Sequence, residues 1–197
     1  KKVAKISLNG NFSCPNKDGK KGFGGCIYCS ESGSGDFAGD KALDILTQFA
    51  QIKTIIDKKW PDSLYMPYLQ ANSNTYGSVE KLKEVYEPLT TLKDIVGISI
   101  ATRADCFDEE IYAYLADLNK RVPLQIELGL QTIHEHTAKL INRKTELKEF
   151  NDAISRLREI GIEIVVHIIN GLPYESKLDM LETIKFINTL DIQGVKI

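Results

Sequence analysis

Three of the four cysteines in this 197-residue chain, Cys14, Cys26 and Cys29, lie within sixteen residues in the spacing C-x11-C-x2-C. Clustered thiolates are soft ligands for a metal centre, and the Cys26-x2-Cys29 pair can bind one centre from a single turn. Gly22, Gly24 and Gly25 let the intervening backbone fold back, so that Cys14 reaches the same point. A structural zinc site takes four protein ligands, whereas a [4Fe–4S] cluster held by three thiolates keeps one iron open for a substrate or cofactor. The competing readings are a zinc knuckle closed by Cys106 or by one of the three histidines, and a redox C-x2-C pair. The redox pair ordinarily starts a helix with no third cysteine upstream. Cys106, in TRADCFDEE, reads as a small packed residue.

Such a ligand set needs a scaffold, and the rest of the chain is patterned as one. Short β-branched or apolar runs predict strands at Val3–Asn9, Leu64–Gln70, Ile95–Ala101, Leu124–Leu130, Ile162–Ile169 and Gly194–Ile197. Segments of helical period predict helices at Ala42–Lys59, Val79–Leu89, Asp108–Leu118, His134–Ile141, Leu147–Ile160 and Lys177–Leu190. Asp108 as a cap, Pro61 as a stop and Gly161 just past its helix fit these boundaries. The alternation is that of βαβ units in a parallel sheet, either closed toward a barrel or open. The cysteines sit in the glycine-rich stretch from Gly10 to Asp40, directly after the first strand, where a βα protein keeps its active site. The last strand lacks the covering helix a parallel strand requires, so residues 1–197 read as one domain truncated at its C-terminus, a fragment of a longer protein.

Composition narrows the classes. The chain is 43% hydrophobic and 26% charged, enough to bury a core, which excludes a disordered chain. Its 25 Lys and Arg against 27 Asp and Glu exclude a globally basic nucleic-acid coat. Lys17, Lys20 and Lys21 in the cysteine loop either meet phosphates locally or form a solvated run. No apolar run reaches the roughly 18 residues of a membrane span, so the expectation is a soluble, cytoplasmic protein without a membrane partner. Gly33–Gly39 carries no Walker lysine, and neither a nucleophile elbow, an H-E-x-x-H pair nor an EF-hand loop is present.

Glu127, Gly129 and Gln131 share one face of the fourth strand, which points the carboxylate into a barrel or cleft. A buried carboxylate requires a partner, and Arg103 is a structural alternative. His134 and His136 are spaced i, i+2, share no helix face, and read as surface residues.

The three-cysteine loop after the first strand, with aromatic Tyr28 just before its last cysteine, resembles the radical S-adenosylmethionine (SAM) superfamily. The x11 spacing replaces the commoner x3 and points to a subfamily. CPNKDG, GSGDFAG, LQANSNTYG, SIATRADC, ELGLQT, INRK and HIINGLP together resemble a widespread bacterial subfamily related to the catalytic subunit of Elongator. The resemblance implies an α/β fold, a partial (βα)6 TIM-type barrel forming a radical SAM core. It implies a [4Fe–4S] cluster on Cys14, Cys26 and Cys29, with SAM on the open iron cleaved reductively to methionine and a 5′-deoxyadenosyl radical that takes hydrogen from a substrate. By the same resemblance Tyr28, Gln70, Asn72, Gln131, Arg143 and His167 bind the cofactor. Gln131 and His167 stand at the ribose, Arg143 at the SAM carboxylate, and Gln70 and Asn72, with Asn74 and Thr75, near the amine. Gly171-Leu172-Pro173 would pack the adenine. The implied partners are an electron donor such as a flavodoxin or ferredoxin and a tRNA bearing a wobble uridine. The alternative is a non-catalytic zinc- or iron–sulfur-binding module that contacts RNA.

Overall fold

In the first strand, β1 (Val3–Leu8), Ala4, Ile6 and Leu8 are buried while Lys5 and Ser7 alternate with them on the opposite face. A period-two pattern with one apolar and one polar face predicts a strand between a packed layer and a solvated hollow. The computed structural model, which describes residues 1–197, shows that arrangement. β1 and strands β2 (Leu64–Leu69), β3 (Ile98–Thr102), β4 (Leu124–Gln131), β5 (Glu163–Ile168) and β6 (Gly194–Lys196) form one parallel sheet in sequential order. No strand reverses the order, so the doubly wound alternative is excluded.

The sheet is curled. The Lys196 ammonium on β6 donates to the Tyr68 hydroxyl on β2 at 3.1 Å and lies 3.2 Å from the Glu127 carboxylate on β4. In a flat sheet β2 and β6 would stand about 19 Å apart, four spacings of ~4.8 Å, beyond the reach of one lysine. Lys5 on β1 also reaches Glu127. The six strands therefore form a half-barrel whose concave face is polar.

The connecting helices are α1 (Ile45–Lys59), α2 (Val79–Leu89), α3 (Glu109–Arg121), α4 (Glu135–Leu140), α5 (Leu147–Glu159) and α6 (Lys177–Ile187). Asp44 caps α1 through the Leu46 and Thr47 amides, Asp108 caps α3 through the Ile111 amide, and Ser176 with Asp179 forms a capping box on α6. Gly161 follows α5 at φ +71°, the left-handed position expected of it. Phe49 from α1, Leu82 and Tyr86 from α2, Leu115 from α3 and Leu157 from α5 pack with Ile6, Ile100, Ile126 and Ile164 in one continuous core. The third strand starts later than its apolar run suggests. Ile95 makes only an isolated bridge to Tyr65, and the backbone at Gly97 passes so close to the Pro123 carbonyl that a Cβ there would lie 2.6 Å from it.

Candidate active site

The loop after β1 carries all three clustered cysteines to the carboxyl end of the sheet, and its own backbone closes it. The Cys14 carbonyl accepts from the amides of Lys17 and Asp18 at 2.8 and 3.2 Å, and the Gly25 amide donates to Asn16 O at 2.8 Å. Cys26 is thereby returned to the neighbourhood of Cys14, with Gly24 and Gly25 at φ +77° and +78° making the reversal. A second turn, Cys29 N to Cys26 O at 3.0 Å, sets the last thiol. The Lys17 ammonium donates to the carbonyls of Ser30 and Glu31, both at 2.9 Å, and pins the outgoing chain.

The loop is tied to the end of β2 and to the segment after α4. Gln70 donates to Ser34 O at 2.8 Å and Asn72 to Phe12 O at 3.1 Å. Asn16, fully buried, donates to Asn142 O at 2.6 Å, and Asn142 donates back to Gly25 O at 2.7 Å.

Cys14, Cys26 and Cys29 are free thiols that open into one cleft. Their sulfurs are not gathered within 4.8 Å of one another, as the ligands of a mononuclear zinc must be, at about 3.8 Å for Zn–S bonds of ~2.3 Å. The cleft wall carries these three thiols and no fourth cysteine. Burial pushes the Cys29 thiol up and the neighbouring Cys26 and Cys14 add to it, while Ser34 and Lys17 oppose the rise. Cys106 is buried away from the cleft lining, and burial raises its thiol far above the usual range.

The structure brings Tyr28, Gln70, Asn72, Gln131, Arg143 and His167 to the walls of the same cleft. The cleft holds about 210 Å³ and is open at its mouth, somewhat below the roughly 300–1,000 Å³ of drug-sized ligand sites. The side-chain amides of Gln70 and Asn72 are engaged by loop carbonyls, so these residues shape the cysteine loop. Gln131 stands at a bulge ending β4, at φ +60°, with its side chain folded over Gly129. Gly171 and Pro173 lie outside the cleft wall.

Arg143 is 3% exposed. Its Nε donates to Thr145 O at 3.0 Å and its Nη1 to the carbonyls of Leu130 and Thr132 at 2.5 and 2.6 Å, while Nη2 has no partner. Burial draws its pKa down, with the Glu135 charge opposing the fall. A buried guanidinium with an unpaired N–H on a cleft wall is a receptor for an oxyanion.

Two expectations are corrected. Arg103 does not pair with Glu127: it forks onto Asp105 at 2.8 and 2.7 Å and donates to Arg143 O at 2.8 Å. Glu127, whose side chain is fully buried, takes Ser99 Oγ at 2.8 Å, His167 Nε2 at 2.6 Å, Lys196 at 3.2 Å and Lys5. Burial alone would raise its carboxyl, but the His167 and Lys5 hydrogen bonds and the lysine charges hold it well below the carboxylate range. His134 is likewise no surface residue. Its Nε2 lies 3.0 Å from Asp179 O, and its ring is half-buried against Asp179 and Glu182 on α6. The lysine run is mostly engaged internally as well, since Lys21 pairs with Asp105 and Glu149 at 2.9 and 2.7 Å.

Sequence reasoning missed Lys5, Tyr68, Ser99 and Lys196. Each sits on the polar face of its strand, and the alternation in β1 that exposes Lys5 was the available signal.

With this geometry in place, comparisons with known proteins are informative. The family model described as "Radical SAM superfamily" matches residues 22–187. Over 196 residues, 100% of this chain, the protein is 50% identical to the Bacillus subtilis protein YtqA, covering 61% of that protein. It is 31% identical to Escherichia coli YhcC over 197 residues, 62% of that protein. The chain thus spans about three-fifths of the length of these relatives. A 110-residue stretch, 55% of this chain, is 33% identical to 23% of a tRNA uridine(34) acetyltransferase of Dehalococcoides mccartyi. Among solved structures, Elp3 of Methanocaldococcus infernus superposes with a TM-score of 0.62 at 17% identity, over 94% of this chain and 42% of that one. The E. coli coproporphyrinogen III oxidase HemN, titled a radical SAM enzyme, superposes with 0.63 at 13%, over 98% and 44%. At such identities these two bear on the fold, which matches the half-barrel.

Proposed function

The chain belongs to the radical SAM superfamily, whose members bind a [4Fe–4S] cluster and SAM, and from that premise we propose that Cys14, Cys26 and Cys29 ligate the cluster beside a SAM-binding cleft. The observation that carries the reading is the meeting of three free thiols and the unpartnered Nη2 of Arg143 in one cleft at the carboxyl end of a curled parallel sheet. The residues present fit both groups: three thiols with no fourth cysteine on the cleft wall, and an unpartnered guanidinium N–H suited to an amino-acid carboxylate.

Bound there, the cluster and SAM supply a hydrogen-abstracting 5′-deoxyadenosyl radical. This chain's residues do the rest. The Lys17, Gln70 and Asn16 clamps hold the thiols in place, Arg143 takes the SAM carboxylate, His167 and Gln131 face the ribose, and Tyr28 covers the cleft beside Cys26 and Cys29. Anaerobic reconstitution of the full-length protein tests this directly. Reductant should release deoxyadenosine from SAM, and alanine at any one of the three cysteines should abolish iron uptake and the product. Deoxyadenosine from the triple variant would overturn the assignment.

For the substrate we propose a tRNA wobble uridine, with a flavodoxin or ferredoxin as electron donor and a cytoplasmic setting. The partial likeness to a protein named for tRNA uridine(34) supports it. Comparison of modified nucleosides in tRNA from cells with and without the gene is the test, and an unchanged wobble position would exclude it.

A further inference from the structure

In the hollow beneath Gln131 and Arg143, each strand contributes one side chain to a connected polar network that includes the candidate ribose residue: Lys5, Tyr68, Ser99, Glu127, His167 and Lys196. Register fixes the depth. Gly129, His167 and Lys196 are neighbours across β4, β5 and β6, one step inside Gln131.

The charges in this network do not balance. Two ammonium groups, from Lys5 and Lys196, converge on opposite oxygens of the one Glu127 carboxylate. Both also lie over the same Tyr68 ring, 4.7 and 4.9 Å from its centroid. Glu127 is the only acidic residue on the cleft wall. Two like charges sharing one counter-ion in a partly desolvated hollow leave one positive charge unmatched. Lys5 donates to Glu127 and Ser99, and Lys196 to Glu127 and Tyr68, so each ammonium keeps one of its three N–H groups for a further partner. The Tyr68 hydroxyl accepts from Lys196 and is itself hydrogen-bonded to Glu127, so its ring and hydroxyl hold the two lysines against the carboxylate.

We propose that Lys5 and Lys196, gathered over the Tyr68 ring, form a seat in the depth of the hollow for an oxyanion, a carboxylate or a phosphate, carried by the substrate. The proposal rests on the reading of this cleft as the SAM site. It adds that the group presented beneath SAM is anionic, with Glu127 holding the two lysines side by side. Arg143 stands at the rim, bonded to the end of β4, so it offers SAM a separate receptor.

Calorimetry on the full-length, cluster-loaded protein saturated with SAM tests the seat, with inorganic phosphate and acetate as probes. One anion should bind per chain, about tenfold more weakly in Lys196→Gln and in Lys5→Gln, as befits a lost charge-assisted hydrogen bond. Lys196→Arg should retain binding, and so should Lys148→Gln, an exposed lysine paired only with Asp152. Phosphate against acetate tells which oxyanion the seat prefers. Binding that ignores both lysines would overturn the proposal. So would anion binding that SAM abolishes, together with weakened SAM binding in Lys196→Gln, because the anion would then be SAM's own carboxylate. A wild-type protein that binds no SAM at all would instead overturn the function on which the seat depends, and the seat with it.

Discussion

Asn16 and Asn142, 126 positions apart, clasp each other's loops: Asn16 Nδ2 donates to Asn142 O at 2.6 Å, and Asn142 Nδ2 donates to Gly25 O at 2.7 Å. The first asparagine lies two residues after Cys14 and the second directly precedes Arg143. The clasp therefore fixes the thiol loop against the segment that carries Arg143. The Ile27 amide adds a third tie to Ile141 O at 3.1 Å.

Removing the clasp should loosen the thiols before it unfolds the domain. Asn16→Ala leaves the Asn142 carbonyl without this donor in a buried place and should cost about 1–3 kcal/mol locally. The cluster-free variant should react faster with a thiol reagent at Cys26, a residue only 8% exposed in the intact loop. Peptide mapping of the labelled protein checks this, and wild-type labelling at Cys26 would show that the clasp does not hold it.

Two glycines in left-handed conformations separate backbone strain from close approach. Gly24 at φ +77° has open space where a Cβ would go, whereas a Cβ on Gly33, at φ +70°, would lie 1.9 Å from Asn72 Oδ1 and 2.9 Å from the Asn72 amide nitrogen. Gly24→Ala should cost only the left-handed penalty, about 1–2 kcal/mol, and keep iron uptake. Gly33→Ala must also push the loop off β2's end, and iron bound per chain after reconstitution should fall severalfold. Equal iron in the two variants would contradict this account.

The elements were legible because their periods are local. Alternation in β1 and helical spacing from Val79 to Leu89 need only neighbours in sequence, and the helix was placed to the residue. The start of β3 was misplaced because it depends on how closely Gly97 approaches Pro123, a contact made by folding. The site was half legible in the same way. C-x11-C-x2-C announces itself, but nothing near Gln70 or Asn72 discloses that their amides are taken by Ser34 and Phe12. The partners of Glu127 come from β1, β3, β5 and β6, so only the curl of the sheet shows that it meets Lys5 and Lys196 and leaves Arg103 to Asp105.

Glu127 makes the domain sensitive to acid. Its folded carboxyl sits well below the ordinary value, so its contribution to stability is complete above the unfolded value of about 4.3 and drains away as pH falls toward the folded one. Glu127→Gln should lose about 1–3 kcal/mol at neutral pH, less than a fully buried pair because both lysines can turn to solvent. The difference from wild type should shrink as pH drops below about 4. Urea unfolding of both proteins across that range measures it, and a gap that stays constant in acid would show that the charge is not the source.

In the proposed site Arg143 has two tasks, bracing the end of β4 and receiving the SAM carboxylate, and its substitution separates them. Three of its hydrogen bonds go to Leu130, Thr132 and Thr145 carbonyls, so they brace the end of β4 whether or not a ligand is present. Only Nη2 is free. Arg143→Lys keeps the charge but has neither the fork nor the reach to hold the carbonyls and an oxyanion together. It should lower stability by about 1–3 kcal/mol, leave iron content near wild type, since the thiol loop is tied through Asn142, and weaken SAM binding at least tenfold. If SAM affinity stays at the wild-type level while stability falls, the arginine is a brace alone, and the SAM carboxylate is held elsewhere in the cleft.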